Sequence, residues 1–185
     1  MAGRCLTSVG NTQFSMFQYR AALDSYLQAR TFAEAGRDRA NLATLNLNIS
    51  SLLLQMGDLD AAAHAVESAL ADYQRNDFPG GRTHCLIQLG IIRARQGNMA
   101  QSAALMREAV DSAYSEGDLS IVADAWDHLG EEYLGRRDLT PAEAALTEAF
   151  RVRTLHRLTH LNNSYFNLGR LRLAQGDLRS ASVAG

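Results

Sequence analysis

Between Trp126 and Phe150 the apolar positions fall twice into the period of a helix. Trp126, Leu129, Gly130 and Tyr133 sit at i, i+3, i+4 and i+7, one face of a first helix, and Ala142, Ala145, Leu146 and Ala149 make the face of a second. Asp138 and Leu139 lie between them. Thr140-Pro141-Ala142-Glu143 then reads as a helix start: Thr140 to cap free N–H groups, Pro141 for the first turn, Glu143 to reach back. Small residues on both faces (Gly130, Ala142, Ala149) let the backbones approach closely. The pattern predicts a helical hairpin with a tightly packed seam.

The rest of the chain echoes this unit. Gly10, Ser50, Gly90, Gly130 and Gly169 hold one position, spaced 40, 40, 40 and 39 residues apart. Val9, Ile49, Leu89, Leu129 and Leu168 precede them. The Trp126 position is Leu6, Asn46, Leu86 and Tyr165 elsewhere, so Asn46 departs from the pattern. Ala22, Ala62, Ser102, Ala142 and Ala181 open the second helices, and Ala29, Ala69, Ala109 and Ala149 follow. Gly57-Asp58, Gly97-Asn98 and Gly176-Asp177 predict turns in which glycine ends one helix left-handed and Asp or Asn caps the next. Phe17 and Arg137 stand at the turns of repeats one and four, which lack that glycine. Gly36, Gly80-Gly81 and Gly117 mark the turns between repeats.

In order and spacing these residues resemble the tetratricopeptide repeat. The resemblance implies an all-α, right-handed α-solenoid of stacked antiparallel helix pairs. One domain would span 1–185, with repeats at 3–38, 39–79, 80–118, 119–157 and an incomplete 158–185. The family's unit is about 34 residues; the longer period here predicts helices of about 17 residues. Long repeats of this kind are similar to those of bacterial regulatory proteins. The fifth repeat stops at Gly185, short of a polar terminal helix. That suggests either a piece of a longer protein or an edge covered by another subunit, for which a two-fold contact between C-terminal repeats is the simplest closed form.

Composition narrows the function by exclusion. A formal charge of −2 over 185 residues gives no general pull toward nucleic acid or an anionic membrane. The 18 basic residues are all arginine, which removes Schiff-base and P-loop lysine chemistry. Neither a signal peptide nor a bilayer-spanning stretch is legible, and two isolated cysteines suit a cytoplasmic protein. His156 and His160 are four apart but flank the expected turn between repeats four and five, with no third metal ligand nearby in sequence. Asp58 reads as a cap, not as part of a calcium loop. Nothing in the motifs suggests catalytic residues, a cofactor or a metal. Arg151, Arg153 and Arg157 read as a solvated basic face of a second helix. Arg93 and Arg172 replace Tyr133 in their repeats, and each must snorkel or find a carboxylate.

What remains is a binding scaffold. In the tetratricopeptide family the first helices line a concave groove that holds peptides. By register one groove row is Ser8, Asn48, Gln88, His128 and Asn167, and the next is Asn11, Ser51, Ile91, Glu131 and Arg170. Carboxamides both donate and accept, so Asn11, Asn48, Gln88 and Asn167 suit a peptide backbone. Asp124, Asp127 and Glu131 would favour a basic ligand residue near repeat four, and Arg170 an acidic group. The chaperone-type carboxylate clamp is excluded, because Thr7, His84 and Gln88 stand where that pattern has lysines and an arginine. The expected partner is a protein or peptide segment, not nucleic acid or membrane. An architectural or dimerising arm with an empty groove is the alternative.

Overall fold

The computed structural model describes residues 2–76 and 81–176. Among them nine helices follow one another and no strand forms. They are α1 (Ala2–Ser15), α2 (Tyr19–Ala35), α3 (Arg39–Met56), α4 (Leu59–Asn76), α5 (Arg82–Arg95), α6 (Met99–Glu116), α7 (Leu119–Gly135), α8 (Leu139–Leu155) and α9 (Leu161–Ala174). None is long and apolar enough to cross a membrane. By contact the chain divides into two compact units, Met1–Asn98 with α1 to α5 and Met99–Gly185 with α6 to α9. The predicted second helix of repeat five, with Asp177, Leu178 and Ala181, lies outside the described residues. So do Gly80 and the expected contact through the C-terminal edge.

One turn geometry is used throughout. A left-handed residue stands one or two positions past each helix end: Phe17, Arg37, Gly117, Arg137 and Arg157 all have positive φ. Gly57, Gly97 and Gly176 do the same after α3, α5 and α9. The N–H of the following residue bonds back to the carbonyl five earlier, as in Asp38 to Ala33 (2.9 Å), Asp58 to Leu53 (3.0 Å) and Asp138 to Tyr133 (3.0 Å). Repeats one and four therefore keep the turn without its glycine, at φ 59° for Phe17 and 63° for Arg137. A left-handed L-residue costs about 1 kcal/mol, which the surrounding hydrogen bonds offset.

Gly36 does mark the turn after α2, with φ −81°, and its neighbour Arg37 takes the left-handed conformation at 53°. Thr140 is not the cap its sequence suggests, because α8 begins at Leu139, and Asp138 precedes it without a side-chain cap bond. Glu143 reaches forward to Arg172 at 3.4 Å instead of back. Three aspartates do cap helices: Asp38 accepts from the Asn41 N–H, Asp58 from that of Ala61, and Asp118 from those of Ser120 and Ile121.

The seams explain the small residues. A Cβ on Gly130 would lie 2.4 Å from Leu146 Cδ2, and one on Gly10 would lie 2.5 Å from Tyr26 Cε1. Ser50, in the same position of repeat two, instead donates its hydroxyl to the Ala62 carbonyl at 2.8 Å. Ala22, Ala29, Ala62, Ala69, Ala142 and Ala149 are all fully buried. In the first unit Tyr26, Leu45, Ile49 and Leu52 build a core with these alanines; in the second, Leu134, Leu146 and Leu171 do so. Arg93 and Arg172 find the carboxylates they require, Glu67 and Glu143. Cys85 is buried and its thiol is pushed up to about 12 by desolvation, while Cys5 is exposed. His156 and His160 flank the α8–α9 turn, both exposed.

Candidate functional site

The two rows of first-helix residues are not loose polar side chains. In the first unit Asn48 Nδ2 donates to Asn11 Oδ1 at 3.4 Å, and Tyr26 Oη donates to the same oxygen at 2.7 Å. Ser51 Oγ donates to Gln88 Oε1 at 2.9 Å, and Gln88 Nε2 donates to Ser50 Oγ at 2.8 Å. In the second unit Asn167 Nδ2 donates to Glu131 Oε1 at 3.0 Å. The Asn48–Asn11, Ser51–Gln88 and Asn167–Glu131 bonds each join one row of a repeat to the other row of the next, at separations of 37, 37 and 36 residues. The carboxamides thus act as rungs between successive first helices. Ile91 holds the same place in repeat three and has no polar group to offer.

In the second unit the row becomes a charged cleft of about 250 Å³, where Asp124, Asp127, His128 and Glu131 of α7 meet Arg153 of α8 and Asn163, Phe166 and Asn167 of α9. Helical spacing puts the four α7 residues on one stripe. Arg153 is the centre of the arrangement and is only 2% exposed. Its Nη2 donates to Asp124 Oδ1 at 2.6 Å, and its Nη1 to Asp127 Oδ2 and to Ser164 Oγ, the last at 2.7 Å. A guanidinium offers five donors in a fixed fork, which is why it can serve three acceptors on two helices. Asp127 Oδ1 is buried and has no hydrogen-bond partner among the described residues.

The cleft's electrostatics follow from burial and these partners. Burial pushes the Asp127 carboxyl up, against the hydrogen bond and charge of Arg153. The Glu131 hydrogen bond raises His128, overcoming the opposing effect of burial, and His128 in turn holds Glu131 below the usual carboxylate range. His128 Nδ1 lies 3.5 Å from Glu131 Oε2, both side chains being partly exposed. Arg170 stands 5.8 Å over the exposed Phe166 ring and donates to Asn167 Oδ1 at 3.5 Å.

Of the residues singled out in the sequence, Asp124, Asp127, His128, Glu131 and Asn167 therefore come together, with Arg170 beside them. Asn11, Asn48 and Gln88 form the separate ladder of the first unit. Asp127 and Asn167 are buried at 6% and 2% exposure, so they line the cleft from below its surface. The sequence reading missed Arg153, placed with Arg151 and Arg157 on a solvated face. Arg151 does lie on the surface, bound to Glu148, and Arg157 is exposed, but Arg153 points inward. A signal was present: the repeat period aligns Arg153 with Ala33, Tyr73 and Ala113, each buried.

No protein-family model matches the sequence, and neither does any curated protein. Solved structures do resemble the chain. BtubC (BKLC) from P. vanneervenii aligns with 97% of it and 75% of its own length, at TM-score 0.82 and 20% identity. A Rap protein complexed with competence and sporulation factor covers 97% at TM-score 0.85 and 17% identity. The Rap conjugation gene regulator of plasmid pLS20, in complex with the Phr* peptide, covers 97% at TM-score 0.82 and 18% identity. The fold is a tetratricopeptide-like α-solenoid. At these identities the likeness establishes that solenoid and no more, and the chain spans half the length of either Rap protein.

Proposed function

We propose that the chain is a non-catalytic scaffold that binds a protein or peptide segment, the sensor or interaction part of a larger regulatory protein of the bacterial cytoplasm. The observation that carries this reading is the cleft of the second unit. Asp124, Asp127 and Glu131 outnumber the single buried Arg153, so the cleft stays acidic while His128 is neutral. It suits a basic ligand residue, with Asp124 and Glu131 still half open to solvent. Arg170 beside it suits an acidic group or a carboxyl terminus. Exposed charges of this kind set direction and association rate more than affinity. That a Rap protein of the same solenoid type is in complex with the Phr* peptide, and another with competence and sporulation factor, supports the reading.

The test is selection from a random peptide library by wild type and by an Asp124→Asn/Glu131→Gln variant. These positions leave the buried Asp127–Arg153 pair intact. Enrichment of basic peptides by wild type, lost in the variant, is the expected result. Enrichment that is the same for both removes the cleft as the binding face.

A second reading is favoured by the rungs of the first unit. Because Asn11, Asn48, Ser51 and Gln88 already bond to one another, that face also serves an architectural or dimerising arm with no groove ligand. It predicts no peptide enrichment, together with a dimer in light scattering.

A further inference from the structure

A larger hollow lies in the first unit, away from the groove rows. It measures about 620 Å³ and is walled by α2 and α4 over α3, with Leu23, Leu27, Leu53 and Ala65 among its apolar lining and Asn46 and Ser68 at a polar edge. Asn46 and Asn48 are two residues apart on α3, so they face roughly opposite ways. The hollow therefore belongs to a different surface from the proposed peptide groove.

The repeat itself indicates what fits there. Two repeats further along, Trp126 stands at the position of Asn46, Tyr114 at that of Glu34 and Tyr133 at that of Leu53. In the second unit the Trp126 indole packs against Ala113, Val122, Ala123 and Val152. Repeat two offers the same backbone frame with a carboxamide in place of the indole. Three of those four partners have apolar counterparts in repeat two, Ala33, Leu42 and Ala43, Asp72 stands in place of Val152, and the ring that covers them in repeat four is missing.

The details favour an incoming aromatic ring. Trp126 Nε1 is buried without a partner in its own repeat. In the hollow, Asn46 Nδ2 donates to Ser68 Oγ at 3.3 Å, which leaves the Asn46 carbonyl oxygen as an acceptor for an indole N–H. The volume exceeds one ring and leaves room for main chain on either side, within the roughly 300–1,000 Å³ of typical ligand sites. Around the apolar floor stand Arg30, Glu34, Arg39 and Asp72, two charges of each sign. An apolar centre with a balanced polar rim, receiving one aromatic anchor, is the anatomy of a protein interface.

We propose that this hollow is a docking site for a tryptophan-like aromatic side chain on the surface of a partner protein. The side chain would occupy in repeat two the place that Trp126 fills from within in repeat four.

The probe is N-acetyl-tryptophan amide, titrated into the full chain and followed by amide NMR. Saturable shifts at Asn46, Ser68 and Leu27, in the millimolar range expected of one small group, are the predicted result. Asn46→Trp should fill the hollow and weaken binding at least tenfold. Leu27→Arg, at a position already 36% exposed, should weaken it similarly and guards against a packing failure in the first variant. N-acetyl-alanine amide should give no saturable shift. No saturable shift with the tryptophan probe, or binding unchanged in both variants, overturns the proposal. Free indole binding as tightly as the capped residue also overturns it, assigning the hollow to a small aromatic molecule instead.

Discussion

The same contact is made in two ways in the two units. In the first, Thr44 Oγ1 of α3 lies 3.2 Å from Tyr73 Oη of α4. Two repeats on, the equivalent positions are Asp124 and Arg153, an ion pair at 2.6 Å whose arginine is buried. Helix packing alone does not distinguish them, since both hairpins close on the same alanines. The surroundings differ. A hydroxyl pair needs little from its neighbours, whereas a buried guanidinium must have its charge and its donors answered. Asp127 and Ser164 supply what Asp124 cannot, and Ser164 occupies the register at which the first unit has Cys85. A charged substitution at one helix–helix contact has thus drawn in a third helix, α9.

The largest expected effect tests that difference directly. Arg153→Ala leaves Asp127 buried and unpaired, and should cost about 3–5 kcal/mol. Tyr73→Phe, its counterpart, should cost about 1 kcal/mol. The chain has one tryptophan, Trp126, so fluorescence in a urea titration reports the second unit while circular dichroism reports both. Equal losses for the two variants would erase the comparison.

Gly130→Leu comes next, at about 3 kcal/mol, because its side chain would have to displace Leu146 across the seam. A variant that melts like wild type would show that the crossing is not where the repeat register puts it. The turns give smaller effects of opposite sign. Gly57 has φ 84° and open space around its Cβ position, so Gly57→Ala should cost about 1 kcal/mol through backbone strain alone. Arg137 holds the same conformation at φ 63°, so Arg137→Gly should gain about 0.5–1 kcal/mol. Thermal melts of the two variants check the signs, and a loss in Arg137→Gly would mean its side chain matters more than its backbone.

The smallest effect is pH-dependent. His128 is raised by Glu131, so its stabilisation is full below its ordinary value of 6.5 and fades as pH climbs through the raised value. Glu131 is lowered, so its stabilisation is present above its ordinary 4.5 and is lost as pH falls through the lowered value. The pair therefore contributes most between those two values. With both side chains partly exposed, the contribution is about 0.3–0.5 kcal/mol. His128→Gln should lose that amount at about pH 5.5 and match wild type in alkaline solution. A constant difference across this range would assign His128 a packing role instead.

These contrasts also mark what was legible in the sequence. Small residues at the seams were legible because a close crossing admits little else, as Gly10, Gly130 and the fully buried alanines show. The need of Arg93 and Arg172 for carboxylates was legible too, since a semi-buried guanidinium has few alternatives. Turns were legible at their glycines, Gly36, Gly57, Gly97 and Gly117, whereas Arg37 takes the left-handed conformation with no mark of its own in the sequence. Arg153 was misread because its neighbours in sequence, Arg151 and Arg157, share its charge but not its side of α8. Its true partners are 26 and 29 residues away and become visible only when repeats are overlaid. The register did align residues that pair across repeats, Asn11 with Asn48, Ser51 with Gln88 and Glu131 with Asn167. That polar side chains would bond across repeats could not be read from row composition, because it depends on which pairs come within reach.

Cys85 gives the first unit something the second lacks. Its thiol is buried and pushed up to about 12, and only the thiolate attacks a disulfide reagent. Cys5, being exposed, reacts at once and can be blocked beforehand. What remains is a native-state clock: Cys85 can be modified only while the structure around α5 is open. Its modification rate under mild conditions counts those openings one by one, at a place where neither a dye nor a mutation has to be introduced.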